Sequence, residues 1–560
     1  MADENLTQLT PTTTIVDTDL YYAVTSAGVV DSSITGANLK QSINIDHVTT
    51  PAETTAGVTI VNFLYPEGYV LRYGTNTTPG TTDMTTAIQA AVDVMEANGA
   101  GDVILDNQIM LVSDTITVNG PIWLRGSGAS FEQIFTASPT FAGSVIKLAA
   151  SSFNSSSKGI IEFDYTGVGS EARLHAGASN VLVFGNRGTA ANPTDASATN
   201  INSFGIGFHI KGARYVTLDH CFGVWCAEDG VKSVTDTVSS NNITIKGGGY
   251  ISNADDGLDL SGGDSFVSNV QLGFNGGDGF ACAVGVISVD SIGSWDNFAY
   301  GLRITADDVS VSGGNFYDNQ LSGILVSGTR ERISIGGGVI CQDNGKDTGQ
   351  ADQVRSGIYV SGATTNSSIS CVVSANKDET GSTGQVYGLR ITSTSADVKY
   401  SAISGDNNGT ALVSDLSEGV ELTIATGAVT STKLFHRIDT EGDAASDDLD
   451  TINGGYEGQV LTIKPANGAR TVVAKDGTGN LQLSGSTDFS MDEAEDTLTM
   501  IKSGSSWLEV GRSDSGALSA YTPTNVSTDR SFDADTVVIA ELADVVGTLI
   551  ADLQSRGQIG

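Results

Sequence analysis

Between residues 229 and 279 three aspartates stand directly before glycines, at Asp229–Gly230, Asp256–Gly257 and Asp278–Gly279, and a fourth, Asp259, follows Gly257 by two residues. Paired carboxyls are the equipment of glycosidic-bond hydrolysis. One protonates the leaving oxygen while the other activates water or attacks the sugar carbon, at separations of about 5–5.5 Å in retaining enzymes and about 6.5–9.5 Å in inverting ones. Lys232, Arg303 and Arg390 lie along the same stretch. They suit a lyase, in which cations stabilise a uronate while a base removes its α-proton. Trp295, Tyr317 and Tyr359 offer aromatic faces on which sugar rings can stack. Each feature also has a plain structural reading. Asp-Gly is a common turn dipeptide, stacked like charges cost energy unless paired or protonated, and aromatics at chain corners often serve packing. His209 and His220 lack the companions of a metal site, and no GxSxG, HExxH, P-loop or CxxC motif is present.

What places these residues together is a repeat. The segments SNADDGLDL, FNGGDGFAC, DNFAYGLRI and DNQLSGILV align without gaps, and their glycines, Gly257, Gly279, Gly301 and Gly323, are spaced by 22 residues. Looser copies centre on Gly207, Gly230, Gly357 and Gly388. Four residues before each regular glycine stands an asparagine, Asn253, Asn275, Asn297 or Asn319. Stacked once per coil, these amides can bond one another along an axis and satisfy a buried bend. Ile243/Ile245, Ile287/Val289, Val309/Val311 and Ile333/Ile335 alternate as half-buried strands do. A coil of about 22 residues holds three short strands, and successive coils stack about 4.8 Å apart. The register defines two columns. One holds the residues before the glycines, namely Asp229, Asp256, Asp278, Tyr300 and Ser322. The other holds the residues two after, namely His209, Lys232, Asp259, Ala281, Arg303, Leu325, Tyr359 and Arg390, and is expected to face outward because its flanks are apolar.

Composition agrees with many short strands and turns: 68 glycines but 9 prolines among 560 residues, with 39% hydrophobic. The net charge of −37 argues against a sequence-independent grip on nucleic acid. Five scattered cysteines (Cys221, Cys226, Cys282, Cys341 and Cys371) read as buried free thiols. The segment MADENLTQLT has neither a basic nor an apolar signal region, and no apolar run reaches the length of about 18 residues that spans a membrane. Neither Sec export nor membrane insertion is therefore expected.

Upstream of the coils, residues 83–98 (DMTTAIQAAVDVMEAN) read as an amphipathic helix with Asp83 as N-cap, suited to covering the open end of a solenoid. RYGTNTTPGTTDMTTAIQAAVDVMEANGAGDVIL, followed by GPIWLRGSG and NVLVFGNRG, resembles the opening of the pectate-lyase-like superfamily found in phage tailspikes. The resemblance spans residues 68–190. It implies a right-handed parallel β-helix and leaves the reaction open, because that superfamily includes hydrolases, lyases and inactive binding proteins. Residues 1–50 (LTPTTTIVDTDLYYAVTSAGVVDSSITGANLKQSI) resemble the N-terminal module by which phage tail proteins dock on the virion.

After residue 420 the rhythm stops. HRIDTEGDAASDDLDTINGGYEGQVLTI, GARTVVAKDGTGNLQL and SSWLEVGRS read as a separate β-domain that resembles C-terminal modules of phage fibre proteins. Its run Asp439, Glu441, Asp443, Asp447, Asp448 and Asp450 is either a structural calcium site or a set of solvated turns; no other cofactor is expected. Asp535–Arg556 reads as a helix with Ile539, Leu542, Val546, Leu549 and Leu553 at coiled-coil spacing and Val545 and Ile550 widening the stripe. That pattern is a trimer clamp or a helix folded on its own domain.

The expected architecture is mainly β: a docking module (1–55), a right-handed parallel β-helix (56–420), a C-terminal β-domain (421–520) and a trimerising helical tail (521–560). With the resemblance, this implies a homotrimeric virion tail appendage, joined to a tail or baseplate protein through its N-terminus, that recognises a host surface polysaccharide. A depolymerase on the same spike and a purely structural fibre are the alternatives. Asp256, Asp278, Asp259 and Asp229 are the candidate catalytic residues, and Lys232, Arg303, Tyr359, Trp295 and Tyr317 the candidate carbohydrate contacts.

Overall fold

In the computed structural model the described residues are the strands Leu20–Val24 and Val30–Thr35 and the chain from residue 47, excluding 133–139, 154, 168–174, 188–201, 235–239, 284, 376–383, 393, 396–397, 417–420, 516–523 and 556–560. The expected N-terminal docking module lies largely outside them. Within it the two strands pair antiparallel. The chain divides into two units, 1–415 and 416–560.

The first unit is a parallel β-helix. One coil runs from Leu258–Leu260 through Ser265–Ser268 and Gln271–Gly273 and returns at Phe280–Cys282, one coil further on. The first strand of each coil joins an eleven-stranded ladder, and the other two build an eighteen-stranded sheet. Registers follow the 22-residue spacing without slip: Leu258 pairs with Phe280, Phe280 with Leu302, and Leu302 with Ile324, all parallel. The interior is a continuous stack of Val, Ile, Leu and Phe, including Leu260, Val267, Leu272, Ile287, Val289 and Phe316, all but withdrawn from water.

Sharp corners let so short a coil close. Asp264, Asn269 and Phe274 adopt left-handed backbone at the three corners of one coil, as do Val286, Ser291 and Asp296 in the next. Such geometry is unfavourable for residues with a Cβ, above all a β-branched one such as Val286, so neighbouring coils must hold it in place.

The asparagine ladder supplies part of that hold. Asn253 Nδ2 donates to Asn275 Oδ1 at 3.0 Å, Asn275 to Asn297 at 2.9 Å, and Asn297 to Asn319 at 2.9 Å. Each Oδ1 also accepts the backbone N–H of the preceding asparagine. The ladder runs past the regular repeat, from Asn319 to Asn344, Gln385 and Asn408.

A helix at Thr85–Ala97 covers one end, burying Ile88, Ala91, Val92 and Met95. It begins one residue later than an Asp83 cap would place it. Met84 occupies the cap position and makes no side-chain cap bond, while Asp83 sits one residue outside and its carboxylate accepts the Thr85 N–H at 2.9 Å. Beside it, Arg72 and Glu53 form a fully buried ion pair. Arg72 also donates to the carbonyls of Tyr65 and Val48, and the Tyr73 hydroxyl donates to Glu53. The four cysteines whose side chains are described, Cys221, Cys226, Cys282 and Cys341, are buried free thiols, as expected. No described helix is long and apolar enough to cross a membrane.

The second unit has its own core, built on Ile438, Leu461, Ile463, Met491, Leu498, Met500 and the fully buried Trp507. Its first strands keep parallel pairing, with Glu421–Thr423 beside Phe435–Asp439 beside Val460–Pro465. Antiparallel strands Thr497–Ser503 and Ser506–Ser513 follow. The terminal helix spans Ile539–Ser555.

Candidate functional site

The turn that carries the asparagine ladder feeds the first strand of each coil, so the aspartates before the glycines and the column two residues after them share one side of the β-helix. The register reproduces that column residue by residue: His209, Lys232, Asp259, Ala281, Arg303, Leu325, Tyr359 and Arg390 are successive partners. Glu162 pairs with His209 at one end and Ser414 with Arg390 at the other.

The column is less open than its alternation suggests. Lys232, Asp259, Arg303 and Arg390 are half-buried, but His209, Ala281, Leu325 and Tyr359 are buried, Tyr359 at 8% exposure. The column turns away from the core as expected, but these four members are shielded from water. An apolar residue can turn from the core and still be covered when its neighbours along the ladder are large.

The preceding aspartates form a second ladder. Asp229 Oδ1 accepts the Asp256 N–H at 3.0 Å, Asp256 Oδ1 accepts that of Asp278 at 2.6 Å, and Asp278 Oδ1 accepts that of Tyr300 at 3.0 Å. All three carboxyls are buried, with exposures of 0%, 6% and 3%. Their second oxygens meet cations. Lys232 Nζ lies 2.7 Å from Asp229 and 3.0 Å from Asp259, Arg303 Nε bonds Asp278, and the Arg303 guanidinium stands 3.8 Å from Asp256.

Burial sets the proton affinities. It raises Asp256 to about 8, with the charge of Asp278 adding to the effect. Burial raises Asp229 to about 6 against the opposing pull of Lys232, and it raises Asp278 against that of Arg303. At neutral pH the column is thus a proton-holding Asp256 beside Asp278, which Arg303 favours in its ionised form. Asp229, Asp256 and Asp259 bring carboxylate oxygens within 4.8 Å of one another, a donor set hard enough for a divalent cation. Lys232 already shares its one positive charge between two of the three.

Glu228 belongs to this cluster and was not singled out from the sequence. One of its carboxylate oxygens is buried without a hydrogen-bond partner, and burial raises the group to about 7. Its signal was present, two residues before Gly230 in the same turn, but outside the aligned column.

Two of the three aromatic candidates, Trp295 and Tyr317, lie on the third strand of the coil, while Tyr359 lies on the first. Trp295 and Tyr317 are register partners with rings stacked nearly parallel, centroids 6.0 Å apart and planes 10° apart, and both half-exposed. Their pairing follows from the 22-residue spacing, and the indole lies against Gly273, where a Cβ would meet it at 2.6 Å. The stack continues an apolar cluster on the outside of the solenoid, formed by Phe184, Trp225, Val224 and Ile251 with Phe131, Phe141, Phe222 and Phe274 packed against it. The strands Ala129–Glu132 and Thr140–Gly143 pair antiparallel and bring Phe131 and Phe141 to it. Part of this outer cluster was not legible in the repeat, because Phe131 and Phe141 come from a hairpin inserted between coils.

Part of the acidic run of the second unit makes internal contacts: Arg470 bonds Asp439 at 2.6 Å and Asp443 at 2.7 Å, and Asp447 accepts the Glu441 N–H at 2.7 Å.

No family model matches the sequence, and no curated protein matches it. Solved structures do. The A-module of the mannuronan C-5 epimerase AlgE4 from Azotobacter vinelandii is 16% identical, with 62% of this chain and 99% of that one covered and a TM-score of 0.41. The enzymatically active domain of tailspike protein 2 from bacteriophage CBA120 is 12% identical over 59% of this chain, which spans 46% of that domain's length, with a TM-score of 0.40. DFA-IIIase from Arthrobacter chlorophenolicus A6, in complex with DFA-III, is 14% identical over 62% of this chain and 87% of that one, with a TM-score of 0.44. The parallel β-helix itself is read from this chain's own strand registers.

Proposed function

We propose that this chain is a virion tail appendage, a tailspike or tail fibre, that recognises a host surface polysaccharide. The observation that carries the reading is the Trp295–Tyr317 pair, two aromatic faces in parallel register on the outside of a rigid ladder. A sugar presents an apolar face to an aromatic ring while its hydroxyls stay solvated, and a laddered surface repeats along its axis as a polysaccharide does along its chain. Lys232 and Arg303 are the candidate polar contacts on the neighbouring ladder. Placement on the virion, attachment through residues 1–55 and a homotrimeric state belong to this reading, and they rest on the resemblance of residues 1–50 and 68–190.

The second reading, a depolymerase on the same spike, is favoured by one observation: a proton-holding Asp256 beside Asp278. Against it, the Oδ1 atoms of Asp229, Asp256 and Asp278 hold the backbone of the next coil, and these carboxyls are buried. Their arrangement suits a structural ladder better than an open acid–base pair. The test is to incubate the purified protein with polysaccharide extracted from the host surface and follow both binding and chain length. Retention of the glycan at unchanged length supports the adhesin, and loss of that retention in Trp295→Ala assigns the surface.

A further inference from the structure

The stacked aromatic pair has a charged border set by the same repeat. Asp296 follows Trp295 and Asp318 follows Tyr317, one coil apart, and both adopt left-handed backbone where the third strand ends. Their N–H groups continue the ladder, Asp296 to the Tyr317 carbonyl at 3.3 Å and Asp318 to that of Gln342 at 3.1 Å. Asp343 takes the same corner position in the next coil and accepts from Gln342 Nε2 at 3.1 Å. The cation beside them, Lys346, is engaged, with Nζ 2.7 Å from Asp318. The half-buried Asp296 carboxylate accepts no hydrogen bond and holds no ion pair among the described residues. Burial raises its proton affinity, the charge of Asp318 adds to this, and Lys346 opposes it. The two carboxylates also reach the aromatic pair: burial raises the Tyr317 hydroxyl, and the charges of Asp296 and Asp318 raise it further. Amides share the face, with Gln271 and Asn315 on either side of Gly293 in register and Gln342 next to Tyr317.

We propose that the sugar seated on Trp295 and Tyr317 carries no anionic group, and that Asp296 and Asp318 set this preference. The inference names the substrate class of the proposed glycan surface and rests on that reading. Asp296, Asp318 and Asp343 against Lys346 leave the border negative, within a chain that carries −37. Sugar hydroxyls can donate to the unengaged Asp296 carboxylate and exchange hydrogen bonds with the amides. A uronate or phosphate at the same place meets like charge in a site partly shielded from water, and such a juxtaposition is strongly unfavourable. The border therefore selects by making the wrong ligand costly as well as by bonding the right one.

Polysaccharide extracted from the host surface is separated by anion exchange into neutral and acidic fractions, and the full chain is titrated with each. Part of the neutral fraction is then oxidised at its primary alcohols, which places carboxylates on the same chains. Titrations are run at about 0.01 M salt, where charges act over about 30 Å. Wild type is expected to bind the neutral fraction and to lose at least about tenfold in affinity for its oxidised form. In Asp296→Asn/Asp318→Asn, which keeps the shapes and frees Lys346, that loss is expected to shrink towards parity. Thermal melts establish that the variant is folded. Wild-type binding confined to the acidic fraction, and abolished by Trp295→Ala, overturns the inference while recognition by the aromatic pair stands. An equal loss in wild type and variant overturns the role of the two aspartates. Binding of neither fraction overturns the recognition reading itself, and this inference with it.

Discussion

Asp256 accepts the backbone N–H of Asp278 through Oδ1, 2.6 Å away and one coil further along the axis. The same carboxyl holds its proton to about pH 8 because it is buried beside a second carboxyl. Folding therefore binds a proton that the unfolded chain, with an aspartate near 4, releases at neutral pH. A folded pKa above the unfolded one makes stability fall as pH rises between the two values. Asp229, raised to about 6, and Glu228, raised to about 7, act in the same direction.

The β-helix is accordingly expected to melt at a higher temperature at pH 5 than at pH 8. Asp256→Asn keeps the shape and the acceptor without the ionisation, and should flatten that dependence and raise stability at pH 8. Thermal melts of both proteins across this range check it. A wild-type profile that rises steadily from pH 5 to pH 8 contradicts it.

Asn297→Ala removes a side chain that donates to Asn319, Leu272 and Ser294 and accepts from Asn275. Loss of several buried hydrogen bonds, with partners left unsatisfied, is expected to cost about 3 kcal/mol. Equilibrium unfolding in denaturant reads it. A change below about 0.5 kcal/mol would mean that the ladder is ornamental.

Glu53→Gln leaves Arg72 buried without its counter-charge at the capped end. Breaking one side of a buried pair costs about 3–5 kcal/mol, and protease sensitivity near residues 47–73 should rise with it. Glu53→Gln paired with Arg72→Met should recover part of the loss.

Much of the fold was legible because a 22-residue repeat fixes which residues become neighbours. Gly257, Gly279, Gly301 and Gly323 gave the register, and the bonds among Asn253, Asn275, Asn297 and Asn319 follow from it. Asn344, Gln385 and Asn408 continue that ladder but were hidden by insertions that break the spacing. The sequence could place Asp256 next to Asp278, yet it could not show that their oxygens are committed to the following coil, since that depends on side-chain direction in a tight turn. Tyr359 was misjudged for a related reason: alternation tells which way a residue points from the core, and neighbouring side chains decide whether water reaches it. Phe131 and Phe141 reach the outer cluster from an inserted hairpin, where periodicity carries no information.

Trp295→Ala and Tyr317→Ala are each expected to weaken glycan binding at least about tenfold, or about 1.4 kcal/mol, while Asp256→Asn leaves it unchanged. Titration of each variant with the same polysaccharide separates the aromatic surface from the acidic column. Equal losses in all three would point to a general defect in folding.

The most direct measurement is the retention and chain length of host surface polysaccharide after incubation with the purified wild-type protein. Glycan is expected to be retained at unchanged length, with no new reducing ends or unsaturated sugars formed. Shortened chains, with cleavage abolished by Asp256→Asn, would contradict it and make the aspartate column an active site.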